Sequence, residues 1–171
     1  MATAYLGLGA NLGDRAGAIA AALAALAAAG VRVAARSPLY ETDPVAPDPQ
    51  PLYLNAAARV ETDLGARALL ALCLRIEGGL GRVRPAGRTA APRIIDVDLL
   101  LYDDAIIAEP PDLIVPHPRL LERAFVRVPL ADVARPGLVH PATGEPLDRA
   151  APARSVRRAP DPTVNPDPAG A

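Results

Sequence analysis

The sequence has no lysine: all 18 of its basic residues are arginine, and tryptophan is absent as well. The lack of lysine excludes the phosphate-binding lysine of a P-loop, the catalytic lysine of a protein kinase and a lysine that forms a Schiff base. With a single cysteine, Cys73, the chain can form neither an internal disulfide nor a cysteine-rich zinc site. Any binding of anions must therefore rely mainly on arginine.

Long hydrophobic runs and an excess of charge of one sign are also missing. No apolar run approaches the length of a membrane span, about 18 residues, and the N-terminal residues lack the basic segment of a secretory signal. The 18 basic and 19 acidic residues nearly cancel, so bulk electrostatics would not hold a nucleic acid or a membrane surface. We therefore expect a soluble, cytoplasmic protein that binds neither nucleic acid nor membrane. We also expect a monomer, although the residues themselves do not indicate an oligomeric state.

What the sequence does contain is a pattern of apolar residues typical of one α+β domain. Hydrophobic residues make up 51% of the 171 residues, enough for a sizeable core. Apolar residues at helical spacing predict one helix after Asp14 and a second around Leu69–Leu80. Strands are predicted over 3–8, 31–40, 52–61 and 94–102. Because only two clear helices occur, an antiparallel sheet with helices packed on it is favoured over a doubly wound parallel sheet.

The C-terminal part of the sequence is less regular. Residues 113–134 predict a short strand, a turn and a short helix. From about residue 150 the composition changes to Ala, Pro, Arg and Asp, with little to bury. We therefore predict one domain over 1–150 and a flexible tail over 151–171.

Two aspartates on the last long strand are the sharpest local feature. In a strand, Asp96 and Asp98 point to the same side, while Ile95, Val97, Leu99 and Leu101 face the core. Paired carboxylates can hold Mg²⁺ together with phosphate oxygens. The alternative is that one aspartate lies on the surface and the other pairs with an arginine.

A loop with four arginines precedes these aspartates and strengthens the phosphate interpretation. Arg82, Arg84, Arg88 and Arg93 all lie in 81–93. Guanidinium groups bind phosphate oxygens bidentately and stay charged, so arginines beside a metal site suit phosphoryl transfer. A solvated basic loop paired with surface acids is the alternative.

Three further residues are candidates for ligand binding, two for a flat, polar ligand and one for a phosphate. Tyr53 and Asn55 share the polar face of their strand, where a ring could stack on a heterocycle and an amide could bind its polar edge. His117, held between two prolines, could donate to a phosphate, or it could simply stabilise a turn. The glycines at 7, 9 and 13 lack the spacing of a dinucleotide-binding fingerprint and instead suit a tight turn.

Six segments, taken together, resemble a known enzyme family. In chain order they are AYLGLGANLGD, PLYETDPV, QPLYLNAAARVET, IEGGLGRVR, APRIIDVDLLLY and VPHPRLLERAFVRVPLADVA. They are similar to the signature segments of 6-hydroxymethyl-7,8-dihydropterin pyrophosphokinases of folate biosynthesis, over about 4–134. The resemblance implies a single-domain, ferredoxin-like α+β fold. It also implies transfer of pyrophosphate from ATP, the co-substrate, to the pterin hydroxymethyl group, with two Mg²⁺ ions as cofactors and AMP as a product.

The resemblance also implies roles for individual residues. Catalytic roles fall on Arg82, Arg93, Asp96 and Asp98, and the two aspartates are the magnesium ligands. The pterin pocket is implied to contain Thr42, Pro44, Val45, Tyr53, Asn55 and Phe125, with Tyr53 and Phe125 stacking on the pterin. Nucleotide contacts are implied for Glu77, Arg84, Arg88, His117 and Arg123. The arginine loop departs from the best-known bacterial pattern, since it has one extra residue and no tryptophan.

Other functions remain possible at the level of the sequence. A nucleotide-sugar glycosyltransferase with an Asp-x-Asp motif is disfavoured by the short chain. A non-catalytic ferredoxin-like module would not need paired carboxylates beside four arginines. A third possibility is fusion or association with other folate enzymes, with the proline-rich tail as a remnant linker.

Overall fold

A computed structural model of the protein describes residues 1–45, 49–83, 91–150 and 153–160. Arg84, Arg88 and most of the predicted tail lie outside these ranges. The elements in the described residues are β1 (Ala2–Ala10), α1 (Arg15–Ala28), β2 (Arg32–Arg36), β3 (Tyr40–Thr42), β4 (Tyr53–Thr62), α2 (Ala66–Gly79), β5 (Asp96–Tyr102), β6 (Ile107–Glu109), β7 (Leu113–Val115), α3 (Ala124–Val133) and β8 (Val156–Arg158).

The main sheet is antiparallel throughout its described pairings. Its order is β5-β1-β4-β3-β8, and β2 pairs with β4 beside β3. Two β-α-β units, β1-α1-β2 and β4-α2-β5, interleave so that β1 and β4 lie at the centre. This is the ferredoxin-like, single-domain α+β fold that was predicted. The strands β6 and β7 form a separate hairpin.

Local sequence signals explain where the first helix begins and ends. The side chain of Asp14 accepts a hydrogen bond from the backbone N–H of Gly17 at 2.9 Å, which caps the N-terminus of α1 as predicted. After the helix, Gly30 adopts a φ of +84°, a conformation that favours glycine. The chain then reverses directly into β2.

The strand predicted over 31–40 is in fact two strands, β2 and β3. Pro38 has no N–H to donate, so regular pairing with β4 stops there. Ser37 bridges the interruption: its Oγ accepts from the backbone N–H of Ala57 at 2.9 Å, and its own N–H donates to the Ala57 carbonyl at 2.9 Å. The two short strands therefore lie along the same edge of β4 with a break between them.

The sheet has a buried cluster on each face. Alternate residues of β1, β4 and β5, among them Leu6, Val60 and Val97, pack with α1 and α2. On the other face Tyr5, Ala57 and Leu130 pack with α3 and the segments around it. A sheet covered by helices on both faces leaves open only the part that α3 does not reach, and the candidate site lies there.

One predicted core residue faces the other way. Ile95, Val97 and Leu99 pack in the cluster with α1 and α2, but Leu101 belongs to the cluster on the opposite face. The register between β1 and β5 shifts between Tyr5 and Leu6, as in a β-bulge. The strict alternation predicted for β5 therefore holds through Leu99 and fails after it.

Part of the predicted tail is paired to the sheet. β8 pairs antiparallel with β3, and the N–H of Ala159 donates to the Leu39 carbonyl at 2.8 Å. The prediction of a flexible tail is therefore wrong for this segment, because the exposed edge of β3 supplies backbone partners to a segment with little to bury. The predicted domain boundary at residue 150 stays a prediction. None of the described helices is long and apolar enough to cross a membrane.

Candidate functional site

A cavity of about 270 Å³ opens on the α3 side of the sheet, where β1, β4 and β5 run past the start of α3. Nine of the predicted site residues line it: Thr42, Val45, Tyr53, Asn55, Arg93, Asp96, Asp98, Arg123 and Phe125. Residues that are far apart in the sequence, from 42 to 125, are thus brought together at one place by the strand order.

The floor of the cavity has no side chains at its centre. In the sheet, Gly9 lies between Asn55 of β4 and Asp96 of β5, and Gly7 lies beside Asp98. A Cβ on Gly9 would come within 3.1 Å of the Asn55 Oδ1. Gly9 therefore leaves open the space between the amide and the Asp96 carboxylate, a role that the sequence analysis missed by treating the glycines only as turn residues.

The two aspartates have different surroundings. Asp96 forms ion pairs with both Arg82 and Arg93. The pKa of Asp98 is raised to about 7, first by burial and then by the negative charges of Asp96 and Glu77, although Arg93 and Arg123 oppose the shift. Added positive charge is stabilising beside a partly buried carboxylate that has other carboxylates as neighbours.

Glu77 lies behind the cavity and holds the carboxylate strand in place. Its side chain is 2% exposed. One carboxylate oxygen accepts from the backbone N–H of Val97 at 2.8 Å, and the other is 2.9 Å from the Arg82 guanidinium. Arg82 then reaches Asp96. The chain of contacts Glu77–Arg82–Asp96 fixes α2 to β5; neither Glu77 nor Arg82 lines the cavity.

Arg93 is held by both its backbone and its side chain. Its guanidinium carbon lies 5.5 Å from the centre of the Tyr53 ring, a cation–π contact, while its terminal nitrogen pairs with Asp96. Its backbone N–H donates to the Asn11 Oδ1 at 2.8 Å, and its carbonyl accepts from the Asn11 N–H at 3.0 Å. Asn11, buried and not predicted, therefore fixes the end of the arginine loop against β1.

Five of the six predicted pterin residues line the cavity. The Asn55 amide donates to the Thr42 Oγ1 at 2.7 Å, so the carbonyl oxygen of Asn55 stays available. Phe125 lies under Arg123, with 5.5 Å between its ring centre and the guanidinium carbon. Val45 is exposed, and Pro44 next to it does not line the cavity.

His117 lies near the cavity without lining it. Its backbone N–H donates to the Leu100 carbonyl at 2.9 Å, and its Nδ1 accepts from the backbone N–H of Arg119 at 3.1 Å. Burial, followed by the positive charges of Arg123 and Arg119, lowers the pKa of His117. A neutral imidazole whose Nδ1 accepts a hydrogen bond carries its proton on Nε2, which makes that nitrogen a donor.

Several lining residues were not predicted, namely Gly7, Leu8, Gly9, Asp43, Ala56, Arg119 and Val126. Most carry no chemical signal in the sequence, because small and apolar residues acquire a role here only through their neighbours. Arg119 is the exception, since it follows His117 by two residues and could have been considered with it. The predicted nucleotide contacts Arg84 and Arg88 lie outside the described residues.

Among the described residues, no cluster of three or more His, Cys, Asp or Glu side chains could hold a metal ion by itself. Asp96 and Asp98 offer carboxylate oxygens to the cavity from one face of β5, and Asp43 lines the cavity beside β3. The two carboxylates on β5 fit a hard cation such as Mg²⁺ if a ligand with phosphate oxygens completes its coordination. The raised pKa of Asp98 agrees with this fit, because a bound cation would offset the repulsion between the carboxylates.

A ferredoxin-like fold with carboxylates and arginines around one cavity suits a small phosphotransferase. The chain belongs to the 7,8-dihydro-6-hydroxymethylpterin-pyrophosphokinase (HPPK) family, whose sequence model matches residues 5–135. As a member of this family it is a pyrophosphokinase, a transferase of folate biosynthesis that acts on 6-hydroxymethyl-7,8-dihydropterin. The resemblance noted in the sequence is therefore confirmed.

Curated relatives agree with the family match. A 2-amino-4-hydroxy-6-hydroxymethyldihydropteridine pyrophosphokinase of Methylorubrum extorquens is 49% identical over 140 residues, which cover 81% of this chain and 86% of that protein. The Bacillus subtilis protein of the same name is 44% identical, with 77% and 78% covered. The folic acid synthesis protein fol1 of Schizosaccharomyces pombe is 42% identical over 86% of this chain, which spans only 20% of fol1.

Solved structures agree with the fold. A crystal structure of wild-type HPPK-DHPS from Plasmodium falciparum matches with a TM-score of 0.63 at 15% identity, covering 86% of this chain and 43% of that chain. An HPPK-DHPS structure in complex with substrates also gives a TM-score of 0.63, at 12% identity, with 86% and 42% covered. At such low identity the likeness shows the fold alone, and this chain spans less than half of those chains.

Proposed function

We propose that the cavity binds 6-hydroxymethyl-7,8-dihydropterin together with ATP and Mg²⁺, and that pyrophosphate is transferred between them with release of AMP. The observation that carries this proposal is the arrangement of side chains on either side of Gly9, at the floor of the cavity. An amide for a heterocycle lies on one side of Gly9, and a carboxylate for a metal lies on the other. One cavity thus has the chemistry for both substrates, side by side.

The pterin is proposed to lie between Tyr53 and Phe125, over the floor beside Asn55. Both rings line the cavity, and each is also beside an arginine. Stacking on a flat heterocycle is a favourable use of such rings. The Asn55 amide, oriented by its bond to Thr42, keeps an acceptor free for the polar edge of the pterin.

The triphosphate is proposed to lie against Asp96, Asp98 and the arginines. Bound Mg²⁺ would be held by the two aspartates and would neutralise charge on the phosphate oxygens. Arg93 contacts Asp96, so its guanidinium already lies at the carboxylates. Arg123 lines the same cavity, and His117 offers its Nε2 proton near it. The roles of Arg84 and Arg88 as further nucleotide contacts rest on the family resemblance.

In the proposed reaction the hydroxymethyl oxygen of the pterin forms a bond to the β-phosphorus of ATP. The bond between that phosphorus and the oxygen bridging the α- and β-phosphates breaks, and AMP leaves with the bridging oxygen. The hydroxyl proton is released to solvent. The residues supply position and charge rather than a covalent step, as is usual for phosphoryl transfer. Arg82 and Arg93 act by holding Asp96 and by balancing negative charge.

The dependence on metal and nucleotide can be tested with one assay. Purified protein is incubated with the pterin and ATP, with Mg²⁺ or with EDTA, and AMP is quantified; GTP replaces ATP in a parallel series. We expect AMP only with Mg²⁺ and ATP together. AMP formation at an unchanged rate in EDTA would contradict the metal assignment, and equal use of GTP would contradict the assignment of ATP as the co-substrate.

A further inference from the structure

We propose that Arg119 is an additional binding residue for the triphosphate of the nucleotide, acting together with Arg123 at the mouth of the cavity. This inference rests on the proposed function, and it concerns a residue to which the family resemblance gave no role. Arg119 lies between β7 and α3 and lines the same cavity as Asp96, Asp98 and Arg123.

The backbone around Arg119 is fixed, although its side chain is exposed. Its N–H donates to the Nδ1 of His117 at 3.1 Å. The next residue, Leu120, is fully buried, and its N–H donates to the His117 carbonyl at 3.0 Å. The Arg119 side chain therefore leaves a rigid turn directed at the cavity, which limits the entropy lost when its guanidinium binds a ligand.

Asp98 and Asp96 act electrostatically on Arg123, but in the described residues they pair directly neither with it nor with Arg119. Within the described residues, neither Arg119 nor Arg123 has an ion pair with a carboxylate, in contrast to Arg93, which pairs with Asp96. The two guanidinium groups are close enough to interact, since Arg119 contributes, after burial, to lowering the pKa of Arg123. Two unpaired like charges at one cavity mouth are stabilised by a polyanion that contacts both.

A phosphate chain fits this arrangement better than a carboxylate or a single phosphate does. Guanidinium groups bind phosphate oxygens in pairs, and two of them can contact different phosphates of one chain. The Nε2 proton of His117 adds a neutral donor beside them, because the Arg119 backbone occupies Nδ1. Arg119 thus acts twice, through its guanidinium on the ligand and through its N–H on the tautomer of His117.

The test compares three variants by calorimetric titration. Arg119→Gln removes the positive charge. Arg119→Lys keeps the charge but lacks the planar guanidinium group, which can donate two parallel hydrogen bonds. Arg67→Gln is the matched control. Arg67 is an exposed arginine paired with Glu109 at the start of α2, away from the cavity. The ligands are Mg²⁺ with a non-hydrolysable ATP analogue, inorganic tripolyphosphate, and adenosine. Thermal unfolding of each variant verifies that it is folded.

We expect Arg119→Gln to weaken binding of the ATP analogue and of tripolyphosphate about tenfold, as for loss of a charge-assisted contact. Adenosine binding should change less than about twofold, because the proposed contact is to phosphate alone. Arg119→Lys should fall between Arg119→Gln and the wild type, and Arg67→Gln should bind all three ligands as the wild type does. Equal affinities of Arg119→Gln and Arg67→Gln for both polyphosphate ligands would overturn the proposal, as would an equal loss for adenosine.

The outcomes for Arg119 and for the proposed function are distinguishable. If the wild type forms AMP while Arg119→Gln binds the analogue normally, the inference fails and the proposed function stands. If the wild type binds tripolyphosphate through Arg119 but forms no AMP, the proposed function fails and the inference stands. Failure of the wild type to bind either polyphosphate ligand contradicts both.

Discussion

At the scale of single residues, the main feature of the site is a carboxylate, Asp98, whose negative charge is not paired with an arginine in the described residues. Asp98 is partly buried beside Asp96 and near Glu77, and its pKa is raised as a result. Arg82 and Arg93 both pair with Asp96, which leaves Asp98 without a salt bridge among the described residues. The prediction that both aspartates project away from the main core is confirmed, and the alternative of an arginine pairing holds for Asp96 as well. The sequence cannot distinguish these possibilities, because the pairings depend on where Arg82 and Arg93 lie relative to β5 in the folded chain.

Asp98→Asn should abolish most turnover while leaving the pterin pocket intact. The change keeps the shape of the side chain and removes the negative charge proposed to hold Mg²⁺. We expect kcat to fall by about 10²–10³-fold, as for loss of a major electrostatic contribution, and the Kd for the pterin to stay within about threefold. Steady-state assays and calorimetry measure these two quantities.

The control for this variant is Asp104→Asn, an exposed acid in the turn after β5. It should behave as the wild type in both measurements. Near-normal turnover in Asp98→Asn would contradict the metal assignment. A large loss of pterin affinity would also contradict it, because Asp98 would then contribute to binding the pterin rather than the metal.

Phe125→Ala should chiefly weaken binding of the pterin. The ring lines the cavity, as does its predicted stacking partner Tyr53. Removing a stacked aromatic ring loses both the apolar area that it buries and the flat face on which the pterin would stack. We expect the Kd for the pterin to rise about tenfold or more. Phe125→Leu, which keeps apolar bulk without the ring, should lie between the alanine variant and the wild type. Unchanged pterin affinity in Phe125→Ala would count against the stacked arrangement.

At the scale of elements, the sequence predicted the strands and helices better than their irregularities. Helix α1 and strands β1, β4 and β5 follow from apolar spacing and from the cap at Asp14. The break between β2 and β3 has a signal in the sequence, since Pro38 lies inside the predicted strand. The bulge beside Leu6 depends on how β1 and β5 pair, and a single strand's sequence does not contain that information. The positions of Gly7 and Gly9 as a floor likewise appear only when β4 and β5 lie beside β1.

The cap of α1 gives a prediction about stability. Asp14→Ala removes the acceptor for the Gly17 N–H and leaves a helix with no acidic residue in its first turn. The free energy of unfolding should fall by about 1 kcal/mol. Chemical denaturation measures it, and Asp104→Ala serves as the control for loss of an exposed aspartate. A loss no larger than that of the control would show that the cap does not stabilise the helix.

At the scale of the whole molecule, the C-terminal segment extends the sheet. β8 covers the edge of β3, the strand that carries Thr42, and Arg157 lies 3.4 Å from Asp43, which lines the cavity. Composition alone predicted a flexible tail because the segment buries little. Pairing between strands uses backbone hydrogen bonds and needs no apolar side chains. The hydrophobicity of this segment therefore does not indicate that it pairs with β3.

Removing the segment should therefore destabilise the protein. Truncation after residue 152 deletes β8 and leaves the backbone groups of β3 without their partners on that side. We expect the free energy of unfolding to fall by about 1–2 kcal/mol, from several weak backbone hydrogen bonds. Truncation after residue 160 keeps β8 and is the matched control. Equal stabilities of the two truncated proteins would contradict a structural role for β8.

The most direct test of the whole account is the identity of the nucleotide product. Purified protein is incubated with Mg²⁺, ATP and 6-hydroxymethyl-7,8-dihydropterin, and AMP is separated from ADP by chromatography. The account predicts AMP, formed only when the pterin is present and in equal amount to the pyrophosphorylated pterin. Pterin-dependent ADP instead of AMP would contradict it, because attack would then occur at the γ-phosphorus rather than the β-phosphorus.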